Sequence, residues 1–334
     1  ISLFSFILVL SIAFLYVLKH LLIKKIVNYS YIDCGSSNKY KKYLIISVVG
    51  FFLEFSIYGI PAFSQSGRDD FIGIPVAHVI FYSFILVSVL YANLYSSIRS
   101  LVICLIVASI ISSLLLSRQL LMVCFVMTMI SIFIRYNVNY KKFFRLFLSL
   151  LIVIYLFGLL GNYRQELSGD FFEGYIVSIG GANESGEKLG SVFYWTWLYI
   201  SSPVYNLIYN INNYYDFGVN CESFVFYTSC VENYISSVLV PNTFVKYIGL
   251  PDFKIDLIME HLNVGTAFSK SARIFGILGV FFQVMLQGIF FYLGWLLTPS
   301  KLKTAFIVYF STLSFFMVFD NLFTHGEFFF VLVI

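Results

Sequence analysis

Eight apolar runs of about 17–25 residues constrain this chain more than anything else in it. They lie near 1–18, 43–60, 74–98, 101–116, 119–134, 146–162, 274–297 and 304–320, and a ninth starts near 328. Lipid offers no partner to a backbone N–H or C=O, so such runs cross it as helices that close their own hydrogen bonds. The expected fold is an all-α polytopic integral membrane protein with about nine transmembrane helices. Length alone would allow one or two soluble domains. At 60% hydrophobic and 11% charged residues, composition excludes them. The chain opens on Ile1 and stops inside GEFFFVLVI, so it is read as cut at both ends.

Lys and Arg orient the runs. With 19–42 in the cytoplasm, Lys19, Lys24, Lys25, Lys39, Lys41, Lys42, Arg99, Arg135, Lys141, Lys142, Arg145, Lys301 and Lys303 share that side. The longer outer connections hold fewer, as positive-inside orientation requires. The run 191–211 is apolar but carries Ser201, Ser202, Pro203, Asn206 and Asn210. A single crossing there would carry Lys301 and Lys303 outside. It is therefore expected to lie in the interface or re-enter, and to break at Pro203. Three parts follow: helices over 1–162, a large outer cap over 163–273, and helices over 274–334.

Charges in so apolar a chain need explaining. Arg68, Arg118, Arg164 and Arg273 each stand at an outer connection, Arg118 in the shortest, LLLSRQLLM. A guanidinium fork suits phosphate, and a ring of them at the membrane boundary suits a lipid-linked diphosphate. Anchoring to lipid headgroups is the competing use. Glu54 lies inside the second run, where a carboxylate is costly. It is a functional candidate, or a structural partner of an arginine or of His78. His78 follows Pro75 by three residues and could equally be a packing residue. His261 in IMEHLNVGT is a candidate base, with Glu166 behind it. His325 is in the last outer turn, beside Glu327, and His20 is cytoplasmic. Asp69 and Asp70 form a lone carboxylate pair that fits a solvated turn better than a metal.

Cys221 and Cys230 share the outer segment, where a disulfide is permitted; two buried thiols are the alternative. The tyrosines, tryptophans and asparagines of FYWTWLY and YNLIYNINNYYDFG suit sugar rings or a membrane interface. There is no P-loop, GxGxxG, CxxC or HExxH. No metal, cofactor or nucleic-acid partner is expected.

Several short elements then fall in a familiar order: GIP at 59–61, GIPVAH at 73–78, SRQLLM at 117–122, NYRQ at 162–165, SSPVYNL at 201–207, and NVGTAF at 263–268 leading into FGILGV at 275–280. In this order and topology, over about 60–330, the chain resembles the bacterial O-antigen polymerases, the Wzy-type oligosaccharide repeat-unit polymerases. It departs from them at Ser271, Ala272 and Arg273, where a Tyr-x-Asp is expected.

The resemblance implies a multi-pass protein of the bacterial inner (cytoplasmic) membrane with a periplasmic cap. It implies joining of undecaprenyl-diphosphate-linked repeat units into O-antigen or capsular polysaccharide. Partners would be the lipid-linked oligosaccharide, membrane lipid and a chain-length regulator. Arg118, Arg164, Arg273 and Arg68 would bind the diphosphate, and His261 or Glu166 would take the acceptor proton. An O-antigen ligase, a lipid-linked oligosaccharide flippase or other transporter, and a non-enzymatic membrane subunit are the alternatives. A transporter predicts paired halves and charges spread through the spans.

Overall fold

The computed structural model describes residues 38–64, 71, 73–135, 140–167, 175–213, 228–250, 254–259 and 264–334. Among these residues every regular element is a helix. The chain divides into two compact units, Asp33–Tyr199 with Phe330–Ile334, and Ile1–Ile32 with Ile200–Phe329.

The first unit starts with α1 (Lys39–Tyr58), α2 (Ala77–Tyr95), α3 (Ile98–Leu114), α4 (Arg118–Arg135) and α5 (Tyr140–Leu167). Short α6 (Tyr175–Ile179) and α7 (Glu184–Glu187) lead into α8 (Gly190–Asn212), whose first ten residues belong here. Helix α2 packs against α1, α3 and α4. It is apolar all round and fully shields Ile85, Leu86, Val89 and Leu94, as a central helix must. Helices α1 and α3 instead expose Ile45, Phe52 and Ile57, and Val102, Ile106 and Ile110. Apolar faces of that extent suit lipid rather than water. Ser47 donates to the Phe81 carbonyl at 2.6 Å, and the Phe81 ring lies on Gly50, so α1 and α2 meet closely.

The second unit holds the rest of α8, then α9 (Thr228–Tyr234) running into a π turn, α10 (Asn242–Ile248), α11 (Ser269–Leu297), α12 (Lys303–Phe316) and the first half of α13 (Gly326–Val333). Cys230, Tyr234, Val238 and Ile274 form a buried cluster between α9 and α11. Helix α11 bends at Phe275 and Gly276. Gly276 has φ 60° and ψ −144°, a combination essentially closed to other residues.

Among the described residues three helices are long and apolar enough to cross a membrane: Lys39–Phe63, Ala77–Tyr95 and Ser269–Leu297. The apolar helices Ile98–Leu114, Arg118–Ile134 and Leu151–Tyr163 are shorter. The expected run 1–18 lies outside the described residues, and 304–320 yields a helix that ends at Phe316. Helix α11 begins at Ser269, so it takes in residues expected in the cap.

The break expected at Pro203 is absent, because α8 runs through it. Proline removes only the hydrogen bond to the Tyr199 carbonyl. The helix tolerates that loss because Asn206 and Asn210, on its next two turns, are tied to neighbouring main chain. The division between the units falls immediately after Tyr199, where that bond is missing.

Candidate functional site

Glu54 sits one turn before the end of α1 with no solvent exposure. Both carboxylate oxygens are engaged. Oε1 accepts the Ile74 N–H at 3.0 Å, and Oε2 lies 2.8 Å from His78 Nδ1. One carboxylate therefore holds both ends of the GIPVAH segment. Within it, the Ala77 N–H reaches back to the Pro75 carbonyl at 2.7 Å, which forces Val76 to φ 65° and ψ −46°. Such a γ-turn is strained, and more so for a β-branched residue. Phe51, Phe71 and Tyr82 surround the imidazole with ring centroids 5.7, 5.9 and 6.2 Å away.

One turn along α2, the Tyr82 hydroxyl lies 3.5 Å from Ser117 Oγ. Ser117 closes the turn between α3 and α4: its N–H bonds to the Ser112 carbonyl and its carbonyl accepts the Ser112 hydroxyl. Leu116 in this turn has φ 51°. Val76 and Leu116 are the two non-glycine residues with positive φ among those described. Each stands two residues before a side chain singled out by sequence, His78 and Arg118. Strain of about 1–3 kcal/mol per such residue persists where surrounding structure enforces it, often at functional sites.

Arg118 opens α4 and is 9% exposed. Its guanidinium carbon lies 4.9, 4.8 and 4.9 Å from the ring centroids of Phe157, Trp195 and Tyr199. Nη2 donates to the Tyr199 hydroxyl at 2.8 Å. The cage is itself braced. Trp195 Nε1 donates to Asn162 Oδ1 at 2.8 Å, and Asn162 Nδ2 donates to Ser191 at 2.9 Å. Aromatic faces attract a cation through their quadrupoles. The arrangement fixes a guanidinium where the ends of α4, α5 and α8 meet. Glu54, His78 and Tyr82 belong to the same end of the unit through Ser117.

In the second unit, Arg273 lies in the first turns of α11 and pairs with Asp256. Asp256 stands in an extended segment held by two asparagines of α8. Asn210 Oδ1 accepts the Asp256 N–H and Nδ2 donates to its carbonyl, at 3.1 and 2.8 Å. Asn206 does likewise with the Ile258 N–H and the Val264 carbonyl, at 3.1 and 2.8 Å. These amides, read from sequence as suited to sugars, are used to hold main chain. After α12, His325 Nε2 lies 3.0 Å from Asp320 and Nδ1 3.7 Å from Glu327. Burial would push the imidazole down, but its hydrogen bonds to Asp320 and then Glu327 outweigh this and hold it at about 10.

That pairing makes stability depend on pH. The folded chain keeps a proton that an unfolded histidine releases near 6.5. The contribution is complete below pH about 6.5, declines above it, and is gone once pH passes about 10. The gap in melting temperature between the wild-type protein and His325→Gln in detergent is expected to shrink steadily across that window. A gap constant from pH 6 to 10 rules the pairing out.

Of the other sequence candidates, Glu166 is exposed on the last turn of α5, and Arg164 lies on the same turn. Arg68, His261 and Cys221 lie outside the described residues. Cys230 is disulfide-bonded, while Cys104 and Cys124 are buried free thiols. Sequence missed Tyr82, Phe157, Trp195, Tyr199 and Asp256; the one available signal was the aromatic density of 193–199. Compared with known protein families, curated proteins and solved structures, the chain matches none.

Proposed function

We propose that this chain polymerises oligosaccharide repeat units carried on undecaprenyl diphosphate, at the outer face of the bacterial inner membrane. In this reading the acceptor hydroxyl oxygen attacks the anomeric carbon of the growing chain. The bond from that carbon to the diphosphate oxygen breaks, and the lipid diphosphate leaves with the electron pair. The acceptor proton passes to a protein base. The observation that carries the reading is Arg118, a caged guanidinium at the end of an apolar helix bundle. A pre-positioned cation there stabilises charge that grows on a leaving diphosphate. The exposed apolar faces of α1 and α3 would let a polyprenyl tail remain in lipid while its diphosphate reaches the helix ends. Arg164, Arg68 and Arg273 are the further diphosphate-binding candidates that the sequence offers.

The test is a carbohydrate ladder from the host. Deleting the gene is expected to leave lipid bearing a single repeat, and the intact gene to restore the ladder. Polymer that accumulates on its lipid carrier but never reaches the surface core would mark a ligase instead. An unchanged ladder rejects both enzymatic readings.

A further inference from the structure

The geometry points to His78 as the catalytic base of this transfer, with Glu54 as the residue that positions it. The inference rests on the glycosyl-transfer reading above and adds the proton's destination. Glu54 is wholly buried, and Oε2 meets His78 Nδ1 at 2.8 Å. A carboxylate accepts and does not donate, so Nδ1 carries a proton, and in the neutral ring the lone pair is then on Nε2. Among the described residues nothing hydrogen-bonds Nε2, and the side chain is 27% exposed. That is the arrangement a base needs: one nitrogen fixed by a buried acceptor, the other open. Packing alone does not account for the strained turn at Val76, which brings His78 onto Glu54 while Ile74 takes the other oxygen. Gly73, at φ 67°, leaves room for the imidazole; a Cβ there would lie 3.0 Å from the ring. Tyr82 is a further titratable group beside His78. It also connects this dyad to Ser117, the neighbour of Arg118. Base and diphosphate-binding cation thus share one end of one unit.

The step balances. Nε2 takes the acceptor hydroxyl proton as the new oxygen–carbon bond forms. The leaving diphosphate departs with its electrons beside Arg118, and the imidazolium later returns the proton to water.

Glu54→Gln tests this sharply. The amide oxygen can still accept the Ile74 N–H, so the segment stays clamped. The amide NH2 now donates to Nδ1, which moves the ring proton to Nε2 and removes the base. Membranes of the deletion strain supply its own lipid-linked single repeats as substrate for the full-length protein. Glu54→Gln and His78→Gln are expected to cut turnover by about 100-fold or more, with apparent KM and membrane abundance unchanged. Diethyl pyrocarbonate, which acylates an imidazole nitrogen bearing a lone pair, is expected to modify wild-type His78 and stop turnover. It should modify His78 slowly in Glu54→Gln.

Wild-type turnover in either variant, while Arg118→Ala is inactive, removes the base and leaves the polymerase reading standing. A raised KM with unchanged turnover also removes it, since the dyad then only grips substrate. Absence of polymer with the intact protein removes both. If Glu54→Gln is depleted from membranes, labelling of the wild type decides. A resistant His78, or an acylated and fully active protein, overturns the assignment.

Discussion

Arg118→Ala is expected to abolish the ladder, with turnover falling about 100- to 1000-fold, the usual loss when one pre-positioned charge-stabilising donor is removed. The variant should still reach the membrane in normal amount. Its cost to stability is the cation's attraction to Phe157, Trp195 and Tyr199, about 0.5–2 kcal/mol per ring before overlap. That weakens the unit without unfolding it, so a melting curve in detergent separates lost stability from lost function. Arg118→Lys discriminates further. Lysine keeps the charge but lacks the flat fork that stacks on three rings while donating to Tyr199. If bidentate diphosphate binding is the role, lysine restores less than about a tenth of activity. If the arginine only anchors the helix end to headgroups, lysine restores all of it. Long polymer of normal abundance in Arg118→Ala ends the proposal.

The helical class and the apolar spans were legible because lipid leaves the backbone a single solution. Arg118 was legible for a related reason: a charge in a turn of three residues cannot move far from the helix end. Its cage was not, since Tyr199 lies 81 residues away and is brought in by packing. The Glu54–His78 pair was half legible. Sequence showed two costly groups in adjoining apolar runs, but only the fold shows that they satisfy one another at 2.8 Å. Pro203 misled because a local rule was applied where tertiary contacts decide. Helix α8 continues through it because Asn206 and Asn210 bind the main chain of 256–264. The use of those same asparagines to hold main chain was not legible, since an amide in a sequence carries no sign of its partner. Among the described residues three helices are long and apolar enough to span, and a hydropathy run does not register turns such as 115–117 or the helix end at Phe316.

Two glycines of α5 are expected to fail in different ways, and the difference separates scaffold from site. A Cβ on Gly158 would meet the Val192 carbonyl oxygen at 2.1 Å. That neighbour is backbone and cannot rotate away, so α8 itself must move. Gly158→Ala is therefore expected to cost about 3 kcal/mol, at the upper end for overpacking, and to lower both the melting temperature and the ladder. A Cβ on Gly161 would meet Arg118 Nη1 and the Trp195 indole at 2.8 Å. Both are side chains. The guanidinium can leave its cage and relieve the contact, at the price of its position. Gly161→Ala should therefore melt within a few degrees of the wild-type protein yet lose most polymerisation, like Arg118→Ala itself. Because both changes act on one cation, the double variant Gly161→Ala/Arg118→Ala is expected to be no worse in activity than Arg118→Ala alone. Independent losses that multiply would place the effect of Gly161 elsewhere and detach the α5–α8 junction from the chemistry.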